Sequence, residues 1–175
     1  PWEVEDYTLS KDKSKIAFST NESGLIKLYL MDTATKKYSE IKDLPVGIVN
    51  DIEFTKDGKS LFFSQSTFDS SSDIYRLDMA TNKIERWTDS EQGEMPKADM
   101  AKPKLIEWTS FDKMKISGFY YPVSKKFTGK RPVLINIHGG PEGQSMASSL
   151  GSNNYYTNEM GVALIYPNVR GSSGF

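Results

Sequence analysis

The chain has 175 residues with 22 basic against 23 acidic side chains and a formal net charge of −1, so neither nucleic acid nor an anionic membrane is an expected partner. Zero cysteines exclude a disulfide scaffold, a thiol nucleophile and a thiolate zinc site, and leave the compartment open between cytoplasm and periplasm. No run of about 18 apolar residues is present to cross a membrane as a helix, and 12% aromatics favour a β-rich soluble protein.

The first half contains an internal repeat. Ser10-Lys-Asp12-Lys-Ser-Lys-Ile16-Ala-Phe18-Ser19 aligns with Thr55-Lys-Asp57-Gly58-Lys-Ser-Leu61-Phe-Phe63-Ser64, an offset of 45. Leu28-Tyr29-Leu-Met-Asp32-Thr-Ala34-Thr35 aligns with Ile74-Tyr75-Arg-Leu-Asp78-Met-Ala80-Thr81, an offset of 46. The first copy holds β-type runs at 4–9, 15–20, 27–32 and 37–41; the second holds them at 49–55, 60–66, 73–78 and 83–88. Asp57-Gly58 predicts a hairpin turn with positive φ at Gly58. Lys13 occupies the matching place and fits that conformation poorly, so its turn is expected to differ. Asp32 and Asp78 are placed to accept backbone N–H bonds two residues on. The stretch Asp69-Ser-Ser-Ser-Asp73 lacks calcium-loop spacing and reads as a solvated hairpin loop; no metal site is expected. Four antiparallel strands per repeat of about 45 residues is the pattern of a β-propeller blade. Residues 1–88 are therefore expected to be the last two blades of a propeller.

Residues 89–104 are polar, with Pro96, Pro103 and Gly93, and read as a linker. Residues 105–175 are expected to be the N-terminal portion of an α/β-hydrolase domain. They begin with a hairpin, 105–112 and 115–121, turned at Asp112. Val133–Ile137 is an apolar, largely β-branched run that reads as a strand buried on both faces. It breaks into His138-Gly139-Gly140-Pro141, a sharp turn in which Pro141 has no N–H and the glycines carry the free donors. Ser152 or Asn153 is placed to cap a helix reaching Met160, with Gly161 ending it and Leu150, Tyr155, Tyr156 and Met160 on its buried face. A second buried strand follows over 162–167, and the intervening crossover is long enough for a parallel pair.

An ordered set of motifs now becomes specific: Trp108-x-Ser110-Phe-Asp112, Ile116-x-Gly118-Phe-Tyr-Tyr-Pro122, Ile137-His-Gly-Gly-Pro141 and Pro167-Asn168-x-Arg170-Gly171-Ser172-x-Gly174-Phe175. Together they resemble the prolyl oligopeptidase family of serine peptidases, its acylaminoacyl-peptidase and dipeptidyl-aminopeptidase-like branch. Lys113 departs from the Gly common there. The resemblance implies a propeller followed by an α/β-hydrolase domain and acyl-enzyme cleavage of short or N-blocked peptides, with the propeller gating access and no cofactor. It places Gly139 and Gly140 in the oxyanion hole. Two roles fit His138, fixing the turn or touching substrate; two fit Arg170, binding substrate or bracing a loop against a carboxylate.

No Gly-x-Ser-x-Gly elbow occurs, and Gly171-Ser-Ser-Gly174 has the wrong spacing. The sole histidine, His138, sits at the oxyanion turn and is not the general base. The nucleophile, acid and base are expected outside these 175 residues, in a longer protein of which this is a piece, and the chain alone is expected to be inactive. Two alternatives remain open: a non-catalytic propeller binding module with a degenerate hydrolase half, and an esterase on the same scaffold.

Overall fold

The computed structural model describes residues 2–91, 93–140 and 142–174. Twelve strands among these form three four-stranded sheets. The first holds β1 (Val4–Leu9), β2 (Lys15–Glu22), β3 (Leu25–Asp32) and β4 (Tyr38–Glu40), in that order and antiparallel. The second repeats it with β5 (Gly47–Phe54), β6 (Ser60–Thr67), β7 (Ser70–Asp78) and β8 (Ile84–Arg86). The repeat extends to side chains. Phe18 stacks on its cross-strand partner Tyr29 at 5.3 Å, and Phe63 stacks on Tyr75 at 5.8 Å. Apolar residues of both sheets, among them Ala17, Leu28, Val49, Leu61, Phe63 and Leu77, meet in one core between them.

One turn geometry recurs three times. In β1–β2 the Lys13 N–H donates to Ser10 O at 2.8 Å; in β5–β6 Gly58 N–H donates to Thr55 O at 2.9 Å. In the third sheet Lys113 N–H donates to Ser110 O, also at 2.9 Å. Residues 13, 58 and 113 have φ of 61°, 69° and 70°. The expectation that the Lys13 turn differs is thus corrected. The turn is fixed by the Asp one residue earlier: Asp12 accepts from Ser10 Oγ at 2.7 Å and from Ser14 N–H at 3.0 Å, and these bonds hold its carboxyl down at about 2. The local bonds offset the left-handed cost of a residue with a Cβ.

The segment 69–73 is corrected more sharply. It is not a solvated loop. Residues from Ser70 onward belong to β7, and the Asp73 side chain is fully buried. Its oxygens accept from Thr88 Oγ1 at 2.7 Å, Ser90 N–H at 2.8 Å, Ser70 Oγ and the Arg86 guanidinium. Burial pushes the Asp73 carboxyl up, and the four donors, Ser70 foremost, more than reverse this and hold it well below the usual carboxylate range. Ser70, read as part of a solvated loop, is one of the donors that make burial of the charge tolerable. Asp32 and Asp78 cap their turns much as expected, although Asp32 bonds Thr35 N–H, three residues on, at 2.8 Å.

The third sheet has the order β11-β12-β10-β9, with β9 (Lys104–Thr109), β10 (Lys115–Tyr121), β11 (Val133–Ile135) and β12 (Ala163–Asn168). β10 is antiparallel to both of its neighbours, β9 and β12; β11 lies parallel to β12. The crossover after β11 lays Ala147 and Leu150 over Phe119, Tyr121 and Leu164. It leaves β11 uncovered: Val133 is 50% and Ile135 60% exposed. Burial of β11 on both faces is therefore corrected. It is the outer strand, bonded on one side only, and the covering segment crosses its neighbours instead.

The expected helix is also corrected. A 3-10 turn, Gly151–Asn153, leads into a π-helical turn, Tyr156–Met160, and no side chain caps either start. Gly161 ends it with φ 62°. Asn154, Thr157 and Asn158 are the buried residues, while Tyr155 and Met160 are exposed. Polar partners decide this: Asn154 Oδ1 accepts from Ala101 N–H at 3.3 Å, and Thr157 O accepts from Ser124 N–H at 3.0 Å. The π turn anchors to neighbouring loops by hydrogen bonds rather than by an apolar stripe.

The first and third sheets meet at the β2–β3 hairpin. Gly24 O accepts from Ala147 N–H at 3.2 Å, and Asn21 Nδ2 donates to Gln144 Oε1 at 2.7 Å. A Cβ on Gly24 would lie 2.7 Å from the Phe119 ring, so only glycine lets this hairpin dock. Residues 97–101 of the expected linker are folded too, with a 3-10 turn at Lys97–Asp99 and Met100 and Ala101 buried.

Two outcomes test these accounts. Lys13→Gly raises the unfolding free energy in urea by about 1 kcal/mol, and Gly58→Ala, whose Cβ meets no neighbour, lowers it by about the same amount. For Asp73, a carboxyl with a lowered folded pKa stabilises the fold fully above the unfolded value near 4 and loses that contribution as pH falls below it. Urea titrations of wild type and Asp73→Asn will show the variant weaker by about 3 kcal/mol at pH 7, the gap narrowing steadily below pH 4.

Candidate functional site

The parallel register pairs Val133 with Ala163, Leu134 with Leu164 and Ile135 with Ile165, and Asn136 N–H continues it to Ile165 O at 2.8 Å. Both strands therefore end on the same side of the sheet. The His138-Gly139-Gly140 turn after β11 and the segment 169–174 after β12 are forced side by side. Pro141 lies outside the described residues, as does Phe175 at the end of the last motif.

Several bonds join the two loops. His138 Nε2 lies 2.8 Å from Ser172 Oγ. The Ser172 hydroxyl also lies 2.6 Å from Val169 O, to which it can donate, and on the other side of the ring Nδ1 lies 3.2 Å from Gly139 O. Ser173 N–H donates to Gly143 O at 3.1 Å. Asn168, buried at the end of β12, grips the backbone of Ser145 with both amide atoms: Oδ1 accepts from Ser145 N–H at 2.7 Å, and Nδ2 donates to Ser145 O at 3.0 Å.

The turn itself is tight. Gly140 has φ 126°, outside the range of residues with a Cβ. A Cβ on Gly143 would lie 2.7 Å from Gly139 O and 3.1 Å from His138 Nδ1, so this position must be bare for the turn to close. Neither Gly139 nor Gly140 N–H has an acceptor among the described residues. Two free backbone donors at the mouth of a sheet are what an incoming oxyanion requires.

Arg170 points back toward the β9–β10 hairpin. Its guanidinium pairs with Asp112, donates to Ser110 Oγ at 3.2 Å and lies 5.1 Å over the Phe111 ring. The Asp112 carboxyl is held below its usual range, by the Met114 N–H bond first and, against a desolvation cost, by the Arg170 charge. Arg170 thus takes the place that the Ser10 and Thr55 hydroxyls hold at the other two turns.

A cleft of about 340 Å³ opens beside His138, lined in part by Asn136, Ser145, Asn153, Tyr121 and Tyr166. Tyr121 OH donates to Ser148 O at 2.9 Å, and Asn153 Nδ2 donates to Tyr166 OH at 3.0 Å. Sequence reasoning singled out Gly139, Gly140, His138 and Arg170, and missed Gly143, Asn168 and Ser172 as partners. The one available signal, for Asn168 and Ser172, was their place in the quoted Asn-x-Arg-Gly-Ser motif. Among the described residues no group of three or more His, Asp or Glu is placed to hold a metal ion, and no helix is long and apolar enough to cross a membrane.

No family model matches the chain, and no curated protein matches it either. Solved structures do. A puromycin hydrolase mutant complexed with PGG aligns with TM-score 0.81 at 18% identity, covering 98% of this chain and 26% of that one. A prolyl endopeptidase aligns with TM-score 0.76 at 16% identity, covering 99% and 25%. The Pyrococcus horikoshii acylaminoacyl peptidase aligns with TM-score 0.75 at 23% identity, covering 99% and 26%. All three are prolyl oligopeptidase family members, the family that the motifs resemble, and at these identities the likeness establishes the fold. The chain spans about a quarter of the length of the structures it matches.

The Asn168 grip sets a measurable expectation. Asn168→Ala leaves a buried donor and acceptor of Ser145 unpaired and destabilises the chain by about 2–4 kcal/mol in denaturant unfolding, whereas exposed Tyr155→Ala changes it by less than about 0.5 kcal/mol.

Proposed function

We propose that this chain is the junction of a prolyl oligopeptidase-type serine peptidase: the last two blades of its propeller, a linker over 89–104, and the first four strands of its α/β-hydrolase sheet from residue 105. The observation that carries this reading is the strand order β11-β12-β10-β9 with a His-Gly-Gly turn at the end of β11. A parallel pair flanked by an antiparallel hairpin fits the start of such a sheet, and the open edge of β11 is where further strands would pair. The alignment of three peptidase structures along nearly the whole chain supports it.

In the proposed mechanism a serine, histidine and aspartate outside these residues perform acyl transfer on short or N-blocked peptides. This chain contributes donors for the tetrahedral intermediate. Gly139 O is turned toward Gly143 and the His138 ring. A planar trans peptide then directs Gly140 N–H the opposite way, out of the loop. Gly140 N–H is accordingly the assigned oxyanion donor, with Gly139 shaping the turn beside it. One such donor is worth about 3 kcal/mol in the transition state. His138 and Arg170 brace the site: the first holds the turn, the second ties the loop after β12 to the hairpin. No cofactor takes part in this chemistry.

A fluorophosphonate that labels activated serines tests the reading. The full-length protein will be labelled and will hydrolyse peptide substrates; residues 1–175 alone will do neither. In the full-length protein Gly140→Ala will lower kcat by about 100-fold. An unlabelled, inactive full-length protein would favour the binding-module alternative.

A further inference from the structure

We infer that Ser172 is a positioning residue: its hydroxyl fixes the orientation of the His138 ring and thereby the Gly139–Gly140 peptide that presents the oxyanion donor. The inference rests on the proposed peptidase reading for its consequence in catalysis, but the bond itself stands on geometry. A serine hydroxyl has one proton. Here it lies between Val169 O at 2.6 Å and His138 Nε2 at 2.8 Å, and the oxygen lone pairs can accept from the ring in turn, so the hydroxyl holds Nε2 whichever ring nitrogen carries the proton. Val169 O is backbone, in the segment directly after β12, so the chain Val169–Ser172–His138 ties the ring to the sheet.

The far side of the ring is equally constrained. Nδ1 lies 3.2 Å from Gly139 O, and Gly143 passes so close that a Cβ there would come within 3.1 Å of Nδ1. The imidazole is thus a spacer between Ser172 and the Gly139 carbonyl. If Ser172 loses its hydroxyl, the ring is free to flip or rotate, and the Gly139–Gly140 peptide loses the wall that sets its plane. Misplacement of a donor on this scale lowers the rate of the chemical step without removing any contact that binds ground-state substrate.

The single histidine makes the bond directly visible. In the 175-residue chain labelled with ¹⁵N-histidine, the Nε2 resonance will report a hydrogen-bonded nitrogen; Ser172→Ala will move it to the water-exposed value, and Ser172→Thr, which keeps the hydroxyl, will restore it. In the full-length protein Ser172→Ala will lower kcat at least about tenfold with KM unchanged and with thermal stability retained, and Ser172→Thr will recover most of the loss. Nε2 signals identical in wild type and Ser172→Ala would overturn the inference, as would an unchanged kcat or a loss confined to KM. A full-length wild type without acyl chemistry, but with the Nε2 signature intact, would overturn the peptidase reading and Ser172's part in catalysis, and leave the His138–Ser172 bond established.

Discussion

The parallel pairing of β11 with β12 is the constraint from which the site follows. Parallel strands end on the same side, so the segments that leave them have to lie next to each other. Each segment is irregular, glycine-rich and unable to satisfy its own backbone. They satisfy one another instead: Ser145 through Asn168, Gly143 through Ser173, His138 through Ser172. Slipping β12 by one residue against β11 would move Asn168 to the other face and undo all three connections at once.

The same economy of donors explains the loops of the propeller-like sheets. Three hairpins adopt one turn, and each places an aspartate to collect the turn's donors. At the third, Arg170 replaces a hydroxyl as partner, which links the hairpin to the site loop 60 residues away. Asp73 extends the principle to the interior, where a full charge is tolerated because hydroxyls, an N–H and a guanidinium converge on it. Equivalent positions in the two repeated sheets carry inverted charges: Lys27 and Glu40 in the first, Asp73 and Arg86 in the second. In the first sheet Lys27 turns to Glu22 at 2.6 Å, which already accepts from Tyr29 OH at 2.7 Å. The fold repeats while the polar wiring does not.

Docking of the two halves depends on small residues. The tip of the β2–β3 hairpin approaches Phe119 and the Ser145 backbone closely enough to exclude any side chain at Gly24. Because Gln144 and Ala147 bond that hairpin while Ser145 is held by Asn168, one short segment contacts both the first sheet and the site loops. A displacement at the junction of the sheets is thereby transmitted to the glycine turn within a few residues.

The repeat, its eight strands, the Asp-Gly turn and the glycine turn were legible in the sequence because each is local. Alternation, turn chemistry and a fixed offset are properties of neighbouring residues, and they determined the strands of the two repeated sheets to within two or three residues at most ends. The four candidate site residues were singled out from motif order. What tertiary structure alone decided is whatever depends on who covers whom. β11 has the composition of a buried strand, yet it lies at an edge that the crossover bypasses. The helix after it was read by its apolar residues, yet it buries Asn154, Thr157 and Asn158 because their partners, Ala101, Ser124 and Met95, come from distant segments. Asp73 looked like a surface charge for the same reason: apart from Ser70, its cage is assembled from residues 13 and more positions away. Gly143, Asn168 and Ser172 became site residues only when parallel pairing brought two loops together. Local periodicity carries no record of long-range hydrogen bonds, and in this protein those bonds hold the turn in place.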